Sequence, residues 1–423
     1  MNGQRVGRWS VSAQGAQSFS YDSAWPAAPE ARPLSLSLPL GRRPLRGERV
    51  VAYFDNLLPT AALVRQRLQS WFGATSSHSF DLLAAAGSDC AGAVQLLAPG
   101  VEPGDPRQVH AETLSERDLV QLLDACVATP GAPLPASLKP PRVVLAGTQT
   151  KTALLRHGGR WCLPLRATPS THIVKLPLGA AAGGAPALST SLENEWLCGQ
   201  LLRAFGFEVA ASRIETIGPH KALVVERIDR RWLDDGWWAR LPLEDFCQAT
   251  ATPPQRCAER DGGPGLRRVL DLLRGAEHAA NDRERLLAAL VVMWLLAVPD
   301  VGGKRFAIRL HRGGRFTLAP LWGVMSAWPL LGRAPSAASL KRLPWTLSPA
   351  GEPMAHHQIT RQHWLQAARC HAVGGFDAVL SGLAGFAARA VESVSAVLPA
   401  GFPRSVSESV FEGLRRGAHL LAC

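Results

Sequence analysis

Short apolar segments separated by turns fill the chain from residue 1 to about residue 100. Near the end of this region Leu57, Leu58, Leu63 and Leu68 recur at near-helical spacing. Segments this short cannot each build a separate core. The pattern therefore predicts one small mixed unit of strands and helix at the N-terminus.

The middle of the chain alternates strand-like and helical patterns. Five prolines fall between about 127 and 142, which are too many for a helix or a central strand and indicate a linker or surface loop. The helix predicted there covers 194–207 and ends at Gly206. The strand-like segments are 152–156, 161–165, 171–178 and 222–229.

Long amphipathic segments dominate the second half of the chain, at 267–275, 283–298 and 376–398. The whole pattern predicts an α+β fold, mixed at first and mainly helical at the end. We divide the chain into four parts: a small mixed subdomain (1–110), a segment of linker and helix (111–142), a mixed α/β lobe (143–245) and a mainly helical lobe (246–423).

Composition narrows the class of protein. With 423 residues, 47% of them apolar, the chain can bury a substantial core. Its eight cysteines show no CxxC spacing, which argues against a disulfide framework and a zinc site. No apolar run approaches the ~18 residues that span a bilayer, and the N-terminus has no signal-peptide pattern. We expect a cytoplasmic protein without membrane contact.

The net charge of +12 at pH 7 comes mainly from arginine. A positive field of this size favours polyanionic partners such as DNA, RNA or an acidic protein. No run of basic residues interleaved with aromatic ones marks a surface that reads nucleic acid. The net charge alone therefore does not decide whether the protein contacts DNA directly.

A lone lysine on an apolar strand is the first candidate for chemistry. Lys175 lies between Val174 and Leu176, and burying its charge is unfavourable unless it meets an anion or a carboxylate. Glu195, at the start of the next helix, could supply the carboxylate of a nucleotide-orienting pair. A solvated lysine on an edge strand and a helix-start glutamate favoured by the dipole explain the same spacing.

Two loops hold the other candidates. Gly147 and Gln149 precede Lys151 in a turn whose amides and side chains could face phosphate, although an ordinary hairpin explains this turn equally well. Asp300 follows Pro299 after a long apolar helix, so its carboxylate is placed in a loop. Asp300 could serve as a catalytic base, or its carboxylate could simply contact solvent at the helix end. Both interpretations are open.

Taken together, the motifs resemble the HipA family of bacterial toxin kinases over nearly the whole chain. The resemblance implies a protein-kinase-like fold with an N-terminal subdomain. It also implies ATP and magnesium as cofactors and phosphorylation of serine or threonine, for example on an aminoacyl-tRNA synthetase. A HipB-like antitoxin that binds operator DNA would be the partner. The segments that carry it are 33–40, 53–59, 80–97, 145–156, 169–177, 194–198, 224–232, 243–248, 262–265 and 318–327.

Position by position, the resemblance assigns nucleotide roles to five residues. Lys175 matches the phosphate-contacting lysine, and Asp300 matches the catalytic base. Glu226 and Ile228 lie where the family's hinge contacts adenine, and Gln248 lies in the nucleotide pocket. Together with Gly147, Gln149, Lys151 and Glu195, these residues form the expected nucleotide site.

The chain departs from the family at both metal-ligand positions. The family's catalytic loop reads close to D-G-H-A-K-N-F, and residues 300–306 keep its lysine as Lys304 but replace the asparagine by Arg305. Gly323 stands where the second metal aspartate is expected. The departures argue against magnesium, while Lys304 and Arg305 could still contact phosphate. Val144 replaces a serine that many members phosphorylate in cis.

We therefore expect a HipA-like pseudokinase, or a severely impaired kinase, that binds ATP and pairs with a HipB-like antitoxin. Operator DNA would be bound through this partner. The alternatives are an active serine/threonine kinase toxin that acts on a translation component, and a basic scaffold that contacts operator DNA directly.

Overall fold

The computed structural model forms two compact units. The N-terminal unit comprises Met1–Gly184, Ala211–Gln255 and Arg309–Gly314, and the C-terminal unit comprises Ala185–Ala210, Arg256–Ile308 and Arg315–Cys423. The residues that the structure describes are 1–129, 132, 134–135, 138–179, 188–299, 301–331, 343–345, 347–352 and 354–422.

Helices and strands occur together, as the α+β prediction requires. The α-helices of the described residues are α1 Glu48–Asp55, α2 Ala62–Phe72, α3 Ser79–Ala86, α4 Glu116–Val127, α5 Ser191–Ala204, α6 Phe246–Ala249, α7 Leu266–Leu272, α8 Ala279–Leu295, α9 Trp328–Leu331, α10 Arg361–Cys370, α11 Phe376–Ser395 and α12 Arg404–Ala422. The strands are β1 Gly7–Val11, β2 Gln17–Tyr21, β3 Leu45–Arg46, β4 Ala111–Thr113, β5 Lys151–His157, β6 Arg160–Pro164, β7 His172–Lys175, β8 Ser212–Ile217, β9 His220–Glu226, β10 Arg230–Trp232, β11 Trp238–Arg240, β12 Leu243–Asp245, β13 Ala307–Leu310, β14 Phe316–Leu318, β15 Pro344–Trp345 and β16 Met354–Ala355.

The first part of the N-terminal unit is a three-stranded antiparallel sheet in the order β1-β2-β3, packed against α1 and α3. Its core includes Leu57 and Leu58, while Leu63 is 61% exposed. The leucine run therefore does not form one helix: α1 ends before it and α2 begins after the break. Pro59 lies in the break, where it lacks the N–H that a continuing helix would need.

The second part of this unit is a six-stranded sheet in the order β4-β6-β5-β7-β9-β8. All four strand-like segments predicted from the pattern lie on it, in β5, β6, β7 and β9. Helix α4 packs its leucines on one face, where Leu122 and Leu123 join Leu154, Val174 and Val224. Between α4 and residue 142 the described residues form neither helix nor strand, in agreement with the predicted linker.

A buried ionic cluster, here called the Asp89 cluster, lies in the N-terminal unit. Its members are all at most 7% exposed: Asp89, Ser170, Arg227, Asp229, Arg230 and Arg240. Arg230 Nη2 lies 2.8 Å from Asp89 Oδ1, and Arg227 Nη2 lies 2.8 Å from Asp229 Oδ2. Ser170 Oγ donates to Asp89 Oδ2 over 2.6 Å. Three guanidiniums thus share two carboxylates away from water.

The cluster shifts the pKa of its members strongly. Burial alone would raise the pKa of Asp89, but Arg230, Arg227 and Arg240 outweigh burial and hold this pKa well below its usual range. The pKa of Asp229 falls to about 2 for the same reason. Because the folded-state values are depressed, the carboxylates stabilise the fold above pH ~4, and this stability is lost as pH falls toward the folded values.

We expect Asp89→Ala to destabilise the protein by about 3–5 kcal/mol, because three buried guanidiniums would be left with one carboxylate. Urea unfolding at pH 7 measures the change. Glu112→Gln is the matched control, because Glu112 pairs with Lys139 at 3.1 Å on the surface and exposed pairs contribute up to about 1 kcal/mol. A loss for Asp89→Ala no larger than that of the control would contradict the role of the cluster.

Glu244 is a further buried carboxyl group in this unit, outside the Asp89 cluster, and it is 1% exposed. Its Oε1 accepts a hydrogen bond of 2.9 Å from the Leu36 N–H. Its Oε2 is shielded from solvent and has no hydrogen-bond partner within the described part of the chain. Burial raises the pKa of Glu244 to about 8, so the group is protonated at neutral pH.

Glu244→Gln tests this protonation. Between pH 4.5, the ordinary pKa of a glutamate, and about pH 8, the folded state holds a proton that the unfolded state releases. The stability of the natural protein therefore falls by roughly 1.4 kcal/mol per pH unit as pH rises through this window, and the variant lacks this contribution. Urea unfolding at several pH values measures both slopes. Equal slopes in the two proteins would show that Glu244 is ionised in the fold.

The C-terminal unit is mainly helical, as predicted for the second half of the chain. The predicted segments 267–275, 283–298 and 376–398 lie in α7, α8 and α11. Helix α5 ends just before Gly206, whose φ of +88° suits glycine at a helix end. Among the described residues, no helix is long and apolar enough to cross a membrane.

Candidate functional site

Two lysines stand opposite each other in the N-terminal unit. Lys151 begins β5, Lys175 ends β7, and the two are register partners in the antiparallel pair. Direct partners project to the same face of a sheet, with Cβ atoms about 4.5–5.5 Å apart. Lys175 is 9% exposed. This end of the sheet therefore concentrates two positive charges on one face, which favours a bound anion.

The turn before β5 lies against the lysine pair. Gly147 has a φ of +101°, and a Cβ built there would lie 2.8 Å from Lys151 Nζ. Gln149 Nε2 donates to the Leu176 carbonyl over 2.9 Å, which ties the turn to the end of β7. The structure thus brings together Gly147, Gln149, Lys151 and Lys175, the four phosphate-site candidates of this unit.

The hinge candidates already have backbone partners within the N-terminal unit. The Glu226 N–H donates to the Ala211 carbonyl over 2.8 Å, and the Glu226 side chain is exposed. The Ile228 carbonyl accepts from Arg309 Nη2 over 3.1 Å. No sequence pattern connects Arg309 with the hinge. Contact of these residues with adenine stays a prediction.

Gln248 caps helix α6. Its side chain and that of Asp245 form a reciprocal capping box, and its Nε2 donates to the Tyr53 carbonyl over 3.3 Å. Its own carbonyl accepts from Ser37 Oγ over 2.7 Å. These bonds give Gln248 a structural task beside the predicted nucleotide contact. The spacing of Asp245 and Gln248 is a capping-box signal that the sequence already contained.

In the C-terminal unit residues 301–306, the described part of the predicted catalytic loop, include a tight turn. Asp300 lies outside the described residues, so its role as base stays a prediction. The Gly303 N–H donates to the Cys257 carbonyl over 2.9 Å, and a Cβ at Gly302 would lie only 2.7 Å from that same oxygen. This close backbone approach explains glycine at position 302, and the side chain of Lys304 is half-buried beside it.

The two altered metal-ligand positions contact each other. Arg305 Nη1 donates a hydrogen bond to the carbonyl oxygen of Gly323. Magnesium is bound through carboxylates and other oxygens, whereas this pair offers a cation and a residue without a side chain. The residues present at these positions do not fit magnesium. No group of three or more His, Cys, Asp or Glu residues in the described ranges could hold a metal ion.

Glu195 is the fifth residue of α5 in the C-terminal unit and is 5% exposed. Its neighbour Asn194 is bonded in both directions to Ser326, with distances of 2.8 and 2.9 Å. This anchors the start of α5. The predicted pairing of Glu195 with Lys175, which belongs to the N-terminal unit, stays a prediction.

Two family domains match consecutive parts of the chain. The HipA N-terminal domain matches residues 1–97, and the HipA-like C-terminal domain matches residues 143–398. The chain belongs to the HipA family. The putative kinase Y4mE of Sinorhizobium fredii is 33% identical over 77% of this chain and 76% of its own length.

Two further comparisons concern Shewanella oneidensis. Its serine/threonine-protein kinase toxin HipA is 28% identical over 57% of this chain and 52% of that protein. A solved structure of HipA from strain MR-1 with HipB and operator DNA covers 99% of this chain and 96% of its own, with a TM-score of 0.79 and 20% identity. At this identity the match shows that the chain has the HipA fold.

We expect Gly147→Ala to weaken ATP binding, because the added Cβ displaces the Lys151 ammonium and φ is unfavourable for alanine. Isothermal titration with ATP measures the affinity. Gly158→Ala is the control: Gly158 also has positive φ, at +55°, but nothing lies within 4 Å of its added Cβ. Equal ATP affinity in the two variants would show that Gly147 does not belong to a phosphate site.

Proposed function

We propose that this protein is the toxin-family component of a toxin–antitoxin module and acts as a pseudokinase, or a severely impaired kinase, that retains ATP binding. The observation that carries the proposal is the hydrogen bond from Arg305 to the Gly323 carbonyl. The guanidinium of Arg305 thus contacts Gly323, the other position at which the family resemblance predicts a metal ligand.

Retained ATP binding is supported by the N-terminal unit. Lys151 and Lys175 are register partners whose ammonium groups project from the same sheet face, where both can contact phosphate. Gly147 and Gln149 shape the adjacent turn.

Impaired transfer follows from the chemistry of the altered positions. A magnesium ion held by ligands at these two positions would supply positive charge against the negative charge that develops during transfer. Losing one preorganised electrostatic element of this kind typically lowers the rate by about 10²–10³. Two such losses leave little turnover, while a guanidinium still binds phosphate through charge-assisted hydrogen bonds.

The partner we propose is a HipB-like antitoxin that binds operator DNA, in a cytoplasmic complex. Family membership supports this pairing, and the solved Shewanella oneidensis relative is a complex of HipA, HipB and operator DNA. In this arrangement the protein acts mainly by binding its partner.

An active serine/threonine kinase toxin is the second candidate, with an aminoacyl-tRNA synthetase as an example of its substrate. The similarity to the Shewanella oneidensis kinase toxin favours it. It requires that anionic ligands from elsewhere in the chain replace those absent at Arg305 and Gly323.

Restoring the family's residues at positions 305 and 323 distinguishes the pseudokinase from the active kinase. Transfer from γ-labelled ATP with magnesium or manganese to proteins of a cell lysate is measured for the natural protein, for Asp300→Asn, and for Arg305→Asn combined with Gly323→Asp. We expect no Asp300-dependent labelling by the natural protein and measurable labelling by the double variant. Gly323 has a φ of +66°, a region that aspartate tolerates better than most residues.

ATP titration with magnesium or with EDTA gives a readout that does not depend on transfer. The affinity of the natural protein should be the same in both, and the double variant should bind more tightly with magnesium. Labelling by the natural protein that disappears in Asp300→Asn would establish the active-kinase candidate instead.

A further inference from the structure

One face of the three-stranded sheet in the N-terminal unit carries no aromatic side chains. Trp9 stacks on Phe54 at 3.9 Å, and Phe19 and Leu45 pack in the same core. Because side chains alternate along a strand, the neighbours of these residues project to the opposite face. The residues on that face are Arg8, Ser10, Ser18, Ser20 and Arg46, with register partners Arg8 with Ser20 and Ser18 with Arg46.

The segment around β3 adds more positive charge beside these residues. Arg42 and Arg43 precede β3 and Arg49 lies in the first turn of α1, and all three side chains are exposed. Glu48 is the one acidic residue in 41–49. We call the combined surface the arginine face; its members are Arg8, Arg42, Arg43, Arg46, Arg49, Ser10, Ser18 and Ser20.

Ion pairs do not neutralise the arginine face. Within the described residues none of its five arginines forms a salt bridge, whereas nearby Arg5 pairs with Asp22 at 3.1 Å. Five exposed guanidiniums therefore lie on β1, on β3 and beside it, and at the start of α1. The carboxylates beside Arg46 are those of Glu48 and Asp55, and Asp55 already pairs with Arg65 at 2.8 Å. The like charges on such a surface repel one another, and together they attract a polyanion.

The chemistry of this surface favours the phosphate backbone of a duplex over other polyanions. Guanidiniums bind phosphate through two parallel hydrogen bonds, and serine hydroxyls are common donors to backbone phosphates. Single-stranded nucleic acid is bound by stacking on aromatic side chains, which this face lacks. A protein partner would be held chiefly by buried aromatic or apolar anchors, which it also lacks.

We propose that the arginine face binds the phosphate backbone of duplex DNA directly. The inference goes beyond the proposed function, in which operator DNA is bound through the partner. Sequence reasoning missed the surface because it looked for basic residues interleaved with aromatic ones. The arginines of 42–49 stand out only once their common exposure is known.

The test uses the full-length protein without a partner and a fluorescent duplex of about 20–30 bp, with anisotropy measured at about 50 to 200 mM salt. One variant carries Arg42→Gln, Arg43→Gln, Arg46→Gln and Arg49→Gln. The control variant removes the same charge from scattered exposed positions, by Arg117→Gln, Arg160→Gln, Arg404→Gln and Arg415→Gln. Thermal melting confirms that both are folded.

We expect a slope of log affinity against log salt near −4 to −5 for the natural protein, at about 0.9 per phosphate contact. In the first variant the slope should become shallower by about 3–4, and in the control variant by less than about 1. Equal slopes in the two variants would overturn the proposal, because net charge alone would then explain binding.

Absence of DNA binding by the natural protein at about 50 mM salt would also overturn it. Loss of antitoxin binding in the first variant alone, without any DNA binding, would assign the face to an acidic protein instead. ATP titration of the same variants distinguishes failure of the DNA-binding proposal from failure of the proposed function, because the arginine face lies outside the phosphate site. ATP affinity unchanged in the first variant would leave the proposed function intact whatever the DNA result.

Discussion

The structure of the N-terminal unit depends on the buried charges around Asp89. This residue belongs to the HipA N-terminal domain at 1–97, whereas its three arginine partners belong to the HipA-like C-terminal domain at 143–398. Removing so many charges from water is unfavourable unless every partner is in place. The cluster therefore specifies how the two family domains join: an arrangement without these contacts would leave uncompensated charges in the interior.

The same cluster fixes the backbone of the hinge. Arg227, Asp229 and Arg230 flank Ile228 and are buried, and the Gly92 N–H donates to Asp229 Oδ2 over 2.6 Å. The hinge segment is thus held from both sides by contacts that reach into the N-terminal domain. The nucleotide binding proposed above would consequently be coupled to the integrity of a domain that carries no nucleotide-site candidate itself.

Local patterns predicted most of the elements, because alternation and helical periodicity follow from burial on one face. Strands β5, β7 and β9 and helices α5, α8 and α11 are examples. The Asp89 cluster escaped prediction, since its members are scattered from 89 to 240 and tertiary folding alone brings them together. Lys175 was found because a charge on an apolar strand is unusual. The contact of Arg305 with Gly323 needed the structure, as the family pattern showed only that both ligands were missing.

The pairing of the two substitutions affects charge as well as metal binding. With aspartate at position 323, the guanidinium of Arg305 would meet a carboxylate, and an ion pair would cancel its charge. With glycine there, the bond goes to a neutral carbonyl, so this contact orients the guanidinium without cancelling its charge. In the pseudokinase proposed above, a guanidinium oriented in this way would hold a phosphate that stays in place. It would not follow the charge that moves between oxygens during transfer, so the proposal expects the altered pair to favour binding over catalysis.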